Sequence, residues 1–177
     1  KTIEIDVISD NQHLGRTAAP SGASVGKYEA VSFPEGGQEE SLRILNENSN
    51  KFLELESNDL KSIDGVIKSI DKTSNYSKIG GALAYAITIA SMESASKAAG
   101  KPLFELISEQ NEYRFPIPIG NILGGGAHAG PGTPDIQEIL ISAPSAKTIT
   151  DAIETNLAVH NELRNVIEKT DPSFTNG

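Results

Sequence analysis

The sequence contains no cysteine and no long apolar run, and both absences narrow the possible classes of protein. Without cysteine, disulfide bonds, cysteine-ligated zinc and thiol nucleophiles are all excluded. A membrane-spanning helix needs about 18 or more apolar residues in a row, which no segment of this chain approaches. The first residues also lack the basic and then apolar order of a secretory signal peptide. We therefore expect a cytoplasmic protein that has no membrane partner.

Basic residues are in the minority, because 15 Lys and Arg face 24 Asp and Glu and give a formal net charge of −9. Nucleic acids bind basic surfaces, so we expect no nucleic-acid partner. An anionic small molecule would need a metal ion or a local basic group to bind here. The 177 residues are otherwise of ordinary globular composition and long enough to bury a core.

The first part of the chain has the pattern of a small sheet followed by helices. Ile3, Ile5 and Val7 alternate with acidic residues, which predicts a half-buried strand. Turn residues follow, so we expect a hairpin into residues 14–19, and a third strand is predicted over Tyr28–Ser32. Apolar residues then recur at helical spacing and predict amphipathic helices over residues 42–52 and 60–70, and the Ala- and Ser-rich residues 81–99 predict a third helix that ends at Gly100-Lys101-Pro102. The expected fold is an α+β domain, a three-stranded meander followed by helices, over residues 1–112.

The remaining residues, 113–177, form a second expected domain. The apolar runs RFPIPIGNIL and PDIQEILISA predict two strands, and residues 147–169 predict a helix. Two strands and one helix cannot easily bury both faces of such apolar strands. We therefore expect this domain to be incomplete and the chain to be truncated.

A glycine-rich stretch over residues 120–132 is the first candidate for chemistry. Gly124, Gly126 and Ala129 match a dinucleotide fingerprint, but the glycines and prolines that follow forbid the helix this motif requires. A Walker-type phosphate loop is excluded because no Gly-Lys-Ser/Thr closes the stretch. What remains is a mobile loop that presents His128, and a histidine without a role is the ordinary alternative.

The strand segment DIQEILIS carries two polar residues, Gln137 and Glu138, within an otherwise apolar run. Successive residues of a strand point to opposite faces, so one polar side chain is expected on each face. A buried carboxylate must be paired, bound to a metal or protonated, and burial would raise its pKa toward that of a general acid or base. The alternative is an edge strand from which Glu138 reaches water.

The stretch APSGASVGKYEA, residues 19–30, is a loop almost without side chains. Its backbone groups and the hydroxyls of Ser21 and Ser24 are sterically open, so such a loop can fold onto a ligand. An ordinary connection between two strands is the alternative, although this loop is long for a hairpin.

Three motifs occur in a fixed order: APSGASVGKYEA, NILGGGAHAG and DIQE, with the helical NYSKIGGALAYAITIASMESASKAAGKPLFELI between the first and second. Together they closely resemble the enolases, along essentially the whole chain. The resemblance implies a carbon–oxygen lyase of glycolysis, phosphopyruvate hydratase, with Mg²⁺ as cofactor and 2-phosphoglycerate and phosphoenolpyruvate as small-molecule substrates. It also implies a homo-oligomer, and an N-terminal domain followed by the opening strands and helix of an α/β barrel.

The resemblance also implies roles for individual residues. Ser24 would bind magnesium through its hydroxyl and carbonyl oxygens, which are hard ligands suited to this ion. Glu138 and His128 would be catalytic, with Glu138 acting on the leaving hydroxyl together with a second glutamate. The implied substrate-binding residues are Gly22, Ala23, His128, Gln137 and Glu138.

The sequence departs from the family pattern in several places. Val25 stands where the family usually has threonine, and the spacing from His128 to Glu138 is one residue longer than usual. The 177 residues contain no Gly-Asp-Glu-Gly segment, which in the family carries a proton-donating glutamate, and they lack the segments with the metal carboxylates and the lysine base. We therefore expect an inactive portion of an enolase. The alternative is a non-catalytic binding module that keeps the enolase N-terminal fold.

Overall fold

The computed structural model describes residues 2–22, 25–108, 110, 112–126, 133 and 135–171. The chain divides into two compact units, Lys1–Gln110 and Asn111–Gly177, and each is described by itself. Within the described residues, no helix combines the length and apolar character needed to cross a membrane.

Unit 1 consists of a strand hairpin and helices. Its elements in chain order are β1 Glu4–Ser9, β2 His13–Ala18, α1 Gly37–Asn48, a 3-10 turn Ser49–Phe52, α2 Leu60–Ile70, α3 Gly81–Ala99 and α4 Leu103–Ile107. The two strands pair antiparallel, from Glu4 opposite Ala18 to Ser9 opposite His13. Asp10 and Asn11 adopt left-handed φ angles of 52° and 60° at the turn, which these residue types tolerate. The predicted hairpin and helices of this region are therefore confirmed.

The predicted third strand over Tyr28–Ser32 is wrong. The first turn of α3 has no side-chain cap, so its N–H groups need other acceptors. The carbonyl oxygens of Val31 and Ser32 accept from the N–H groups of Gly81 and Ala82, at 2.7 and 3.1 Å. The backbone that was predicted to form the third strand of a meander therefore caps a helix instead.

Helix α3 is the centre of the core of unit 1, and its small side chains let it lie against the hairpin. A Cβ atom added to Gly15 in β2 would lie 1.9 Å from the carbonyl oxygen of Ala90. The fully buried Ser94 donates to the carbonyl oxygen of His13 at 2.6 Å and accepts from the Ser9 N–H at 3.2 Å. The Ala- and Ser-rich composition of α3 therefore permits a backbone-to-backbone contact.

Asp71, directly after α2, is a buried carboxylate at 2 % exposure. Burial by itself would raise its pKa, but the carboxylate accepts hydrogen bonds from the Thr73 hydroxyl and from the N–H groups of Ile79, Thr73 and Lys78. These four bonds together hold the pKa of Asp71 below its ordinary value. Asp71 therefore organises the turn that leads from α2 to α3.

Unit 2 contains β3 Ile119–Gly124, β4 Glu138–Ser142 and α5 Ile149–Thr170. The Thr148 hydroxyl caps α5 by accepting from the Asp151 N–H at 3.0 Å. Helix α5 packs on β3, where a Cβ atom added to Gly120 would lie 3.4 Å from Asn156. The predicted strands and helix are present, and the described residues of this unit form no closed barrel.

Candidate functional site

The described residues include half of the predicted site. Ala23, Ser24 and His128 lie outside them, so their predicted roles stay predictions. Gly22 is exposed in unit 1, while Gln137 and Glu138 lie at the start of β4 in unit 2. The geometry around this last pair forms the candidate site.

The glycine-rich end of β3 lies directly beside Gln137 and Glu138. Gly124 is the partner of Glu138 in the antiparallel register, and the Gly125 N–H donates to the Gln137 carbonyl oxygen at 2.8 Å. Gly126 has a left-handed φ of 63°, and a Cβ atom there would lie 3.3 Å from the Gln137 Cα atom. A side chain at Gly126 would be strained by its φ angle as well as crowded. The motifs GGG and QE, separate in sequence, therefore meet in one place.

The two faces of the β3–β4 pair have different surroundings. Gly120 and Ile141 are opposite each other, and Gly120 lies against Asn156, so their face is covered by α5. Strand alternation places Glu138 and Leu140 on the other face. Leu140 is 52 % exposed and Glu138 is exposed.

The prediction that Glu138 is buried is therefore wrong for this structure. The reason is that no described element of unit 2 covers the second face of the strand pair, so the carboxylate reaches water. The apolar residues that flank it made the strand look buried on both faces. Its predicted role in chemistry is a separate matter and stays a prediction.

The described part of the loop around Gly22 is open. Val25 and Tyr28 are 77 % and 92 % exposed, and the Glu29 carboxylate accepts from the Gly26 N–H at 2.8 Å. Residues 26–29 form a small turn, closed by the Glu29 N–H and the Gly26 carbonyl oxygen at 3.1 Å. The described side chains of this loop are therefore open to solvent, and its predicted contact with a ligand stays a prediction.

The described residues do not form a magnesium site by themselves. No group of three or more His, Asp or Glu side chains converges anywhere in the part of the chain that the structure describes. Magnesium prefers oxygen ligands and usually binds one or two carboxylates. Ser24 would add only neutral oxygens, so these residues could hold the ion only together with carboxylates from another part of the protein.

One residue of this region was missed by the sequence analysis. The Asn121 side chain accepts from the Leu123 N–H at 3.1 Å, at a register shift in β3. Asparagine often bonds the backbone two residues further along, so an asparagine inside an apolar strand was the available signal. Chemically, the site offers a carboxylate and an amide beside bare backbone, which suits a polar ligand.

Comparison with known proteins identifies both units. The family model described as Enolase, N-terminal domain, matches residues 1–107, and the one described as Enolase, C-terminal TIM barrel domain, matches residues 112–176. The enolases of Methanothermobacter thermautotrophicus and Methanosphaera stadtmanae are each 41 % identical over 99 % of this chain, and that of Pyrobaculum aerophilum is 35 % identical. The aligned region is 42 % of the length of the first two relatives, so the chain spans about two fifths of them. The chain belongs to the enolase family.

Proposed function

We propose that the protein of which these residues are part is a phosphopyruvate hydratase, which interconverts 2-phosphoglycerate and phosphoenolpyruvate. Membership of the enolase family supports this proposal, and so does the meeting of the GGG and QE motifs. We also propose that residues 1–112 and 113–177 belong to two domains, the second being the start of a barrel. A cytoplasmic homo-oligomer is the state that the family resemblance implies.

The reaction removes a proton from C2 and a hydroxyl group from C3 of the substrate. The electron pair of the C2–H bond becomes the second bond between C2 and C3, and the C3–O bond breaks with its pair on the departing oxygen. That oxygen takes a proton and leaves as water. In this proposal Glu138 assists the departing hydroxyl together with a second glutamate, and Gln137 contacts the substrate beside it.

The loop residues complete the proposed site. Gly22 and Ala23 contact the substrate with their backbone, His128 approaches its phosphate end, and Ser24 binds Mg²⁺. Ser24 would hold the ion through its hydroxyl and carbonyl oxygens, and a bound ion would supply positive charge that offsets the negative charge of the substrate. The family resemblance implies that the ion's remaining ligands and the base for C2 belong to segments that the 177 residues lack, so we expect these residues alone to form no phosphoenolpyruvate above background.

The observation that carries the proposal is the position of Glu138, an exposed carboxylate at the first residue of β4 facing a glycine. The experiment is Glu138→Gln in the protein at its full natural length, with phosphoenolpyruvate followed by its ultraviolet absorbance. Loss of one acid or base group lowers kcat by about 100-fold or more. Glu154→Gln, an exposed residue of α5, is the matched control and should leave kcat unchanged. A Glu138→Gln enzyme with the parent kcat would refute the proposed role.

A further inference from the structure

Strand β3 contains one extra residue near its centre. Asn121 is opposite Leu140, but Leu123, two residues later, is opposite Ile139, only one residue earlier in β4. Ile122 is therefore the unpaired residue of a β-bulge. The Leu123 N–H, which directly follows the bulge, donates to the Asn121 side-chain oxygen at 3.1 Å.

The bulge decides which residue lies opposite Glu138. In an unbulged pair that keeps Asn121 opposite Leu140, Leu123 would face Glu138. Directly opposed side chains lie on one face with Cβ atoms about 5 Å apart, so the leucine would lie against the carboxylate. With the bulge, Gly124 takes this place and leaves the carboxylate open. The same register brings Gly125 and Gly126 to Gln137.

We infer that Asn121 is a positioning residue, whose side-chain oxygen holds the bulge that keeps Leu123 away from Glu138. The inference rests on the proposed role of Glu138. Asparagine suits this task because its short side chain reaches the N–H two residues further along, which alanine cannot do. Aspartate keeps an oxygen at the same place and is the conservative replacement.

The absence of cysteine makes the register directly measurable by engineered disulfides. The pair Leu123→Cys with Ile139→Cys reports the bulged register, and Leu123→Cys with Glu138→Cys reports the unbulged one. Each pair is made in the parent chain and in the Asn121→Ala, Asn121→Asp and Asn161→Ala backgrounds. Asn161 lies on the exposed side of α5 and is the matched control. Cross-linked fractions are read from peptide masses after mild oxidation, and circular dichroism monitors the overall fold.

We expect the 123–139 cross-link to dominate in the parent, Asn121→Asp and Asn161→Ala chains. In Asn121→Ala the 123–138 cross-link should replace it. The ratio of the 123–138 to the 123–139 cross-linked fraction reports the register, and a general loss of stability would not change this ratio. Loss of both cross-links in Asn121→Ala, with the 123–139 pair kept in Asn121→Asp, supports the inference when circular dichroism shows the parent fold and overturns it when that fold is lost. An unchanged 123–139 cross-link in Asn121→Ala would overturn it, as would loss of that cross-link in both Asn121 variants.

Activity of the full-length protein provides the second readout. A covered and misplaced carboxylate should lower kcat on the order of 100-fold in Asn121→Ala, with Asn121→Asp close to the parent. A register switch without any change in kcat would overturn the positioning role. The Glu138→Gln enzyme tests the proposed function separately, because it alters the carboxylate and leaves Asn121 and the bulge in place.

Discussion

The described residues form two antiparallel strand pairs, and each pair has a helix on one face and a glycine under that helix. Gly15 of β2 lies so close to α3 that an added Cβ atom would be 1.9 Å from a backbone oxygen of the helix. A Cβ atom added to Gly120 of β3 would lie 3.4 Å from the Asn156 side chain of α5, which is an ordinary van der Waals distance. The same arrangement is therefore tightly packed in unit 1 and looser in unit 2.

The outer faces of the two pairs differ even more. In unit 1 the outward side of the hairpin carries Arg16 and Asp6, joined by an ion pair at 2.6 Å, and the exposed Ile8 lies beside them. In unit 2 the corresponding face presents Leu140, half exposed, next to Glu138. Charged side chains on an outer face are suited to contact with water. An exposed apolar face with one carboxylate is typical of a surface that binds a ligand or packs against another part of a protein. Glu138 therefore lies on the more apolar of the two outer faces.

The largest effect is expected from Gly15→Ala, which would break the close packing of unit 1. The new methyl group collides with helix backbone rather than a movable side chain, so we expect destabilisation by about 3 kcal/mol or more. Gly120→Ala should cost less than about 1 kcal/mol, because its neighbour is a side chain at contact distance. Urea unfolding followed by circular dichroism measures both. Equal losses would show that the two helices are packed alike.

The next largest loss of stability is expected from Asp71→Asn, which removes a buried carboxylate of unit 1. Its effect is compared with that of Glu138→Gln, which removes an exposed carboxylate of unit 2. The amide cannot accept all four hydrogen bonds, so we expect a loss of about 2 kcal/mol near neutral pH. The pKa of Asp71 is lowered by folding, so its contribution is present above about pH 3.9, the value of an unfolded aspartate. It is lost as the pH falls through the lower pKa of the folded protein.

The difference in unfolding free energy between the parent and Asp71→Asn should therefore shrink as the solution is acidified below about pH 4. Urea titrations at several pH values provide the measurement. Glu138→Gln, which removes an exposed carboxylate, should leave the stability of the parent nearly unchanged over the same range. A gap between parent and Asp71→Asn that is constant with pH would contradict the assignment.

The smallest effect concerns the apolar face of unit 2. Ile117, Ile119, Ile136 and Leu140 are 50 to 67 % exposed, so we expect the 177-residue chain to self-associate. Leu140→Lys should weaken association about tenfold, the equivalent of burying about half a large apolar side chain. Leu42→Lys, at a 40 % exposed leucine of α1, is the matched control. Light scattering against concentration measures both, and a monodisperse parent monomer would contradict the expectation.

The helices of unit 1 were predictable because their patterns are local. Ile63, Ile67 and Ile70 recur at helical spacing and are all buried in α2. Gly100 ends α3 in a left-handed conformation, as a glycine at this place predicts. The absence of the third strand was not predictable from local sequence. The carbonyl oxygens of Val31 and Ser32 accept hydrogen bonds from the first turn of α3, a helix that lies some 50 residues later in the chain.

The exposure of Glu138 was mispredicted for a related reason. Alternation of residue types indicates which side chains share a face, but only packing determines whether that face is covered. Asn121 was missed because its effect depends on the partner strand. A β-bulge is defined by the register between two paired strands. That register cannot be read from the sequence of either strand alone.

The sequence by itself determined the family, the hairpin turn, the helices and the set of candidate residues, because each of these depends on neighbouring residues or on motifs of a few positions. The tertiary structure alone decided that residues 31 and 32 cap α3, that Gly15 touches a helix backbone, and that a glycine rather than a leucine faces Glu138. These features depend on distances between segments far apart in the chain, which only the packing of the whole unit sets.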